Sequence, residues 1–146
     1  MKVHYINHKA PVLVGDYPYA DSVNQEILSL LEQGVYTPIG STNVKASIHT
    51  EWDWEPHNIK LRNLKAYIRE EIERYYTPGA TWATTRAERK RIHCINFWAN
   101  VYEKGDYAQS HNHRPYNYSF AYFVKSKWYD SPFVFTDSGK KIRPKE

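Results

Sequence analysis

Apolar residues recur at two different spacings along this chain. In the first half they return every three or four positions, and in the second they gather with aromatics in short runs broken by polar turns. Val23, Ile27, Leu30 and Leu31 form one helical stripe, opened by Asp21-Ser22-Val23-Asn24-Gln25 and closed by Gly34. Ser22 with Gln25 three residues on fits a capping box, and glycine is a natural helix stop. Leu61, Leu64, Ile68, Ile72 and Tyr75 form a second stripe, predicting a helix over residues 58–76 with Pro56 before it and Thr77-Pro78-Gly79 after it. Lys, Arg and Glu fill its other face, so it reads as scaffold laid against a sheet.

Residues 3–15 predict a strand with a turn at Gly15-Asp16, and residues 43–54 an extended segment with Val44, Ile48, Trp52 and Trp54 supplying apolar surface. Later, residues 91–102, 107–113, 118–125 and 133–136 predict strands, with turns at 103–106 and 137–139. Two helices followed by a run of antiparallel strands make an α+β arrangement whose sheet can curl into a barrel. No repeat or Gly/Ser linker divides the sequence. Residues 1–146 read as one domain, with helical and strand support over 1–90 and the main strands over 91–146.

Composition sharpens this picture in three places. Thirteen Tyr and five Trp supply much of the apolar material, which favours a β-rich domain with a partly polar interior. The net charge of +4 comes largely from residues 86–91, RAERKR, and 140–145, KKIRPK, both expected as solvated surface. Cys94 is the only cysteine, which excludes an intrachain disulfide and a Cys-based zinc cage. Its neighbours Ile92 and Ile95 predict a buried thiol. No apolar run approaches the ~20 residues of a membrane helix, and the N-terminal MKVHYINHKA lacks a signal-peptide core, so a cytosolic protein is expected.

Seven histidines are present. His4, His8, His49 and His57 are expected as surface or satisfied structural groups. His111 and His113 differ, because in a strand residues i and i+2 share one face. Two imidazoles so placed can grip one metal ion. Imidazole suits iron, zinc or copper, and two His with one carboxylate and open positions is the non-heme iron oxygenase arrangement.

Around this pair stands an ordered series: Trp98-Ala99-Asn100, Gly105-Asp106-Tyr107, His111-Asn112-His113, then Ser119-Phe120-Ala121-Tyr122-Phe123-Val124. Upstream are Ser41-Thr42-Asn43-Val44, a Trp-containing segment and a long helix. The series resembles the prolyl-hydroxylase-like Fe(II)/2-oxoglutarate oxygenases common in cyanophages and marine bacteria, over roughly residues 40–137. The resemblance implies a double-stranded β-helix (jelly-roll) fold with Fe(II) near its mouth and 2-oxoglutarate as co-substrate. It makes His111 and His113 the metal ligands, His113 standing where the wider superfamily usually places Asp, and names no catalytic residue beyond them. It places Tyr102 beside the 2-oxoglutarate pocket. Phe123 falls where a second tyrosine is usual, which leaves Tyr118 and Tyr122 as nearby candidates.

The implied reaction couples oxidative decarboxylation of 2-oxoglutarate to hydroxylation of a C–H bond in a peptidyl or other substrate, by a phage-encoded enzyme in the host cytoplasm. The family's third ligand and its basic partner for the co-substrate carboxylate come from later strands. This chain stops at Glu146 before them, so it reads as a partial version of a longer polypeptide or as a natural remnant. Lys140, Lys141 and Arg143 carry no motif for the missing cation, and His93 is a spare imidazole expected elsewhere.

Three rivals remain. A catalytically inactive jelly-roll, a phage structural or accessory protein in the virion or in homo-oligomer contacts, explains the incomplete site. A nucleic-acid-binding protein rests on the basic runs and surface aromatics and is disfavoured. A zinc hydrolase lacks H-E-x-x-H.

Overall fold

A computed structural model of the chain describes residues 2–7, 10–36, 43–76, 92–127, 129–135 and 140–142. The architecture is mixed α and β, with two helices and four two-stranded antiparallel sheets. No closed barrel forms among the described residues.

The N-terminal run is a hairpin rather than the single expected strand. Strand β1 (Lys2–Asn7) pairs antiparallel with β2 (Ala10–Val14), in a register from Lys2↔Val14 to Asn7↔Ala10 with an irregularity between Tyr5 and Asn7. Pro11 has no N–H for a ladder, and a two-stranded sheet, in which every strand is an edge, accommodates it.

Helix α1 (Ala20–Gln33) starts earlier than the capping box predicts. Tyr19 is its N-cap and no side chain caps it. Ser22 therefore lies inside the first turn, too late to act as cap, while Asp21 places its carboxylate favourably toward the helix dipole. Gly34 does end the helix, donating its N–H to Leu30 O. Its backbone is extended, not left-handed, so the stop does not depend on a conformation that favours glycine. The Tyr36 ring occupies the space a Cβ would fill, and its hydroxyl donates to the Leu30 carbonyl at 3.0 Å.

Helix α2 (Ile59–Tyr76) follows the predicted span closely. Asn58 caps it, its Oδ1 accepting from the N–H of Lys60 at 3.0 Å and of Leu61 at 3.2 Å. The same side chain donates to Glu26 at 2.8 Å, and Lys60 pairs with Glu26 at 3.0 Å, so one cluster ties the two helices together. The Asn58 hydrogen bond, then Lys60, hold the Glu26 carboxyl below its usual range.

The core is built where both predicted stripes meet. Val23 and Ile27 of α1, Leu61 and Leu64 of α2, Trp54 and Phe97 are its buried members, with Leu30, Leu31, Ile68, Tyr122 and Val124 packed against them. The later segments depart further from expectation. Among the described residues the later strands are β3 (Val44–Lys45), β4 (Ile48–His49), β5 (Asn100–Val101), β6 (Tyr107–Ala108), β7 (Phe133–Phe135) and β8 (Lys140–Ile142). Residues 92–99 form no strand and make one isolated bridge at Phe97, and 109–127 form no strand. Their aromatic content favours strands, but a strand persists only where a neighbour satisfies its backbone groups.

Two surface expectations also change. Cys94 is exposed, because its segment runs over the surface and Ile95 points outward with it. Part of the basic tail is the strand β8, paired Phe133↔Ile142, with Lys141 exposed. The run at 86–91 and the turn at 137–139 lie outside the described residues. No helix among them is long and apolar enough to cross a membrane.

Leu61 and Leu64 are 0% exposed, so Leu61→Ala or Leu64→Ala should cost about 2–5 kcal/mol. Leu28 on the outer face of α1 is 37% exposed, and Leu28→Ala should stay within about 0.5 kcal/mol. Urea unfolding checks both. Equal losses at the two kinds of site would contradict this placement of the core.

Candidate functional site

The site is framed by the pairing of residues 43–54 with 97–109. Gln109 N–H donates to Asn43 O at 2.7 Å, Val44 lies opposite Ala108, and Ile48 opposite Val101. The chain then reverses, since Asp53 bridges Phe97 in the parallel sense, with Phe97 N–H on Trp52 O and Trp54 N–H on Phe97 O. Buried Thr50 serves this reversal. Its hydroxyl accepts from Ala99 N–H at 2.9 Å, while its own N–H donates to Ala99 O at 3.0 Å.

Residues 102–106 loop out of this ladder, with Gly105 at φ +92°, a conformation that favours glycine. Asp106 holds the loop. Its side chain is only 8% exposed and accepts from the Ser47 hydroxyl at 2.5 Å and Glu103 N–H at 2.9 Å, with Lys45 at 3.8 Å. These donors, Ser47 first, hold the Asp106 carboxyl below its ordinary range. Its oxygens are thus engaged in fixing the turn that leads into the histidine segment.

His111 and His113 lie beyond β6 in a stretch without strand structure, so the expectation of a strand-borne pair is corrected. Their rings nevertheless meet, with centroids 5.0 Å apart at 68°. That separation suits two imidazoles converging on a common ion through bonds of about 2.1 Å. His111 Nδ1 lies 2.7 Å from Gln109 O. A carbonyl only accepts, so Nδ1 carries the proton and Nε2 is left with its lone pair, as in metal-binding histidines. Burial, then the neighbouring His111, pushes His113 below the usual imidazole range, so it is neutral at pH 7.

Behind the pair runs a row of rings. Trp98 lies 6.2 Å from His113, stacks on His49 at 6.4 Å and 10°, and meets Trp52 edge-on at 4.6 Å. His49 is the buried structural histidine expected, with Nδ1 donating to Thr50 O at 2.7 Å. Trp98 intervenes between it and the pair, so His49 does not join them. His57 and His93 are exposed; His8, and the side chain of His4, lie outside the description.

The three tyrosines diverge. Tyr102 accepts a hydrogen bond from Asn100 Nδ2 at 3.0 Å, and desolvation raises its phenol above the ordinary range. Tyr118 is exposed. Tyr122 turns toward the helices, donating to Asn24 of α1 at 2.8 Å and packing edge-on against Tyr17. Asn100 lies opposite His49 in the ladder. Its Oδ1 is buried and has no hydrogen-bond partner.

Two imidazoles fit a borderline divalent cation such as Fe(II). Among the described residues no group of three or more His, Cys, Asp or Glu is arranged to hold a metal ion, so the pair supplies two donors and no carboxylate joins them. Compared with known proteins, the chain matches no family model, no curated protein and no solved structure.

Asp106 gives a pH signature. Its folded value is depressed, so its contribution is present above the unfolded value of about 3.9 and is lost as pH falls through the lower folded value. Asp106→Asn should therefore lower the urea midpoint at pH 7, with the gap to the parent protein closing below about pH 4. A gap that stays constant across that range would remove this role for Asp106.

Proposed function

We propose that the chain is a Fe(II)/2-oxoglutarate-dependent oxygenase of the jelly-roll type, acting on a peptidyl or other C–H substrate, with His111 and His113 as the metal ligands. The observation that carries this reading is the convergence of the two rings, with His111 fixed in the tautomer that frees Nε2. The small antiparallel sheets and supporting helices are compatible with a double-stranded β-helix. The ordered series from Trp98 to Val124 adds its resemblance.

Fe(II) held by the pair would supply activation of O2, the oxidant for hydroxylation, with 2-oxoglutarate as the co-reductant that leaves as succinate and CO2. The chain's own part is to hold and shelter. His111 is oriented by the Gln109 carbonyl, and Gln109 is itself tied to Asn43. Trp98 backs His113 with an apolar wall that limits water on that side. Tyr102 presents a neutral hydroxyl for the co-substrate. Tyr118 is a second candidate from the exposed segment, and Tyr122 reaches a co-substrate only by giving up Asn24.

A second reading has one observation in its favour. With only two donors together among the described residues, a jelly-roll that kept the fold and lost catalysis, serving as a phage structural or accessory protein, is its natural competitor.

Anaerobic addition of Fe(II) and 2-oxoglutarate should give a weak visible charge-transfer band. His111→Ala and His113→Ala should abolish it while leaving the far-UV spectrum unchanged. A parent protein without the band, whose Fe(II) affinity is indifferent to both substitutions, would sink the oxygenase reading and favour the inactive one.

A further inference from the structure

Phe120 is held so that one face of its ring is turned outward. It stacks on buried Phe97, with centroids 6.0 Å apart at 29°, yet is 38% exposed. The core backs one face and leaves the other open to a planar partner. Tyr116 is tied to the same segment, its oxygen accepting from Asn96 Nδ2 at 3.1 Å, and it is 46% exposed. Its N–H donates to His113 O at 2.9 Å, which sets this surface next to the histidine segment. A cation stands here too, since Lys65 Nζ lies 5.1 Å from the centre of the Phe97 ring.

The chain that carries these rings has charge of one sign. From Tyr107 to Tyr129 there is no Asp or Glu, while Arg114, Lys125 and Lys127 are positive and exposed. Between Gln109 and Phe120, apart from the Tyr and Phe residues, Arg114 and Pro115, every residue is Gln, Ser, Asn or His. Such groups suit hydrogen bonds to the edges of unpaired bases. An anionic membrane calls instead for aliphatic side chains on an amphipathic helix, and no helix forms over 109–127. A polymer that alternates planar bases with phosphates answers both features, stacking on the rings and neutralising the cations. The basic runs at 86–91 and 140–145 play no part in this. The surface is therefore a different one from that which the charge pattern of the sequence suggested.

We propose that this surface binds single-stranded nucleic acid, with bases stacked on Phe120 and Tyr116 and phosphates on Lys65 and Arg114. The proposal goes beyond the oxygenase reading and does not depend on it, since it uses neither a metal nor a co-substrate.

Fluorescence anisotropy of a labelled oligothymidylate, titrated with the full chain, tests it. With two phosphates neutralised, affinity should fall about sevenfold between 50 and 200 mM salt. Phe120→Ala and Tyr116→Ala should each weaken binding by about fivefold to a hundredfold, the loss of one stacked base. Phe120→Trp should retain it, because a larger ring keeps the stacking face. Lys65→Gln and Arg114→Gln should each weaken binding and flatten the salt dependence. If Phe120→Ala does not fold, Tyr116→Ala and Arg114→Gln, both at exposed positions, carry the test. No binding at 50 mM salt would overturn the proposal. So would binding that follows salt but is blind to both rings, which is charge attraction alone, or a duplex bound as tightly as the single strand. Uptake onto phosphatidylglycerol vesicles without affinity for the oligonucleotide would overturn it in favour of a lipid surface.

Discussion

Phe97 is the pin on which the rest of the site depends. Its side chain is buried among Val23, Ile27, Trp54, Leu61 and Leu64, and its backbone bonds to Trp52 on one side and Trp54 on the other. Lys65 of α2 lies over its ring at 5.1 Å, and Phe120 stacks on it at 6.0 Å. Beside Phe97, Trp98 meets His49, Trp52 and His113. The helices contribute no ligand to the site. Their burial orients the segment that carries its wall, which is how a scaffold distant from the chemistry sets its geometry.

The second constraint is electrostatic. The loop at 102–106 leaves the ladder and β6 rejoins it opposite β3, so the loop between them needs its own tie. Asp106 provides the tie by accepting from Ser47, on the opposite segment, and from Glu103, in its own loop. Gln109, which receives the His111 ring, is fixed three residues later through Asn43. Both Asp106 hydrogen bonds fall on Oδ2, and Lys45 lies 3.8 Å from Oδ1. The acidic residue of the G-D-Y motif is therefore architectural.

The helices were legible in the sequence because their stripes are local. Leu61 and Leu64 repeat at helical spacing and end fully buried, whereas the start of α1 was misplaced because Ser22 reads as a cap only if the chain before it is ignored. The strands were less legible. An aromatic-rich run announces that it would fit a sheet, but its partner is set by residues fifty positions away, as for Thr50 and Ala99. The histidine pair was found through a spacing argument that presumed a strand. The rings converge instead in a segment without strand structure, on which His111 is oriented by a local bond to Gln109. Asn100 stands within the W-x-N series, but its pairing with His49 in the ladder is set by a segment fifty positions earlier.

Charge connects these features under the oxygenase reading. Two imidazoles bring no negative charge to a divalent ion, and Asp106 is held by its own donors. Compensation for the ion then falls to the anion that binds with it. A dicarboxylate co-substrate is suited to that task, and each partner strengthens the binding of the other. In such a site the residues that orient the anion weigh as much as those that touch the ion.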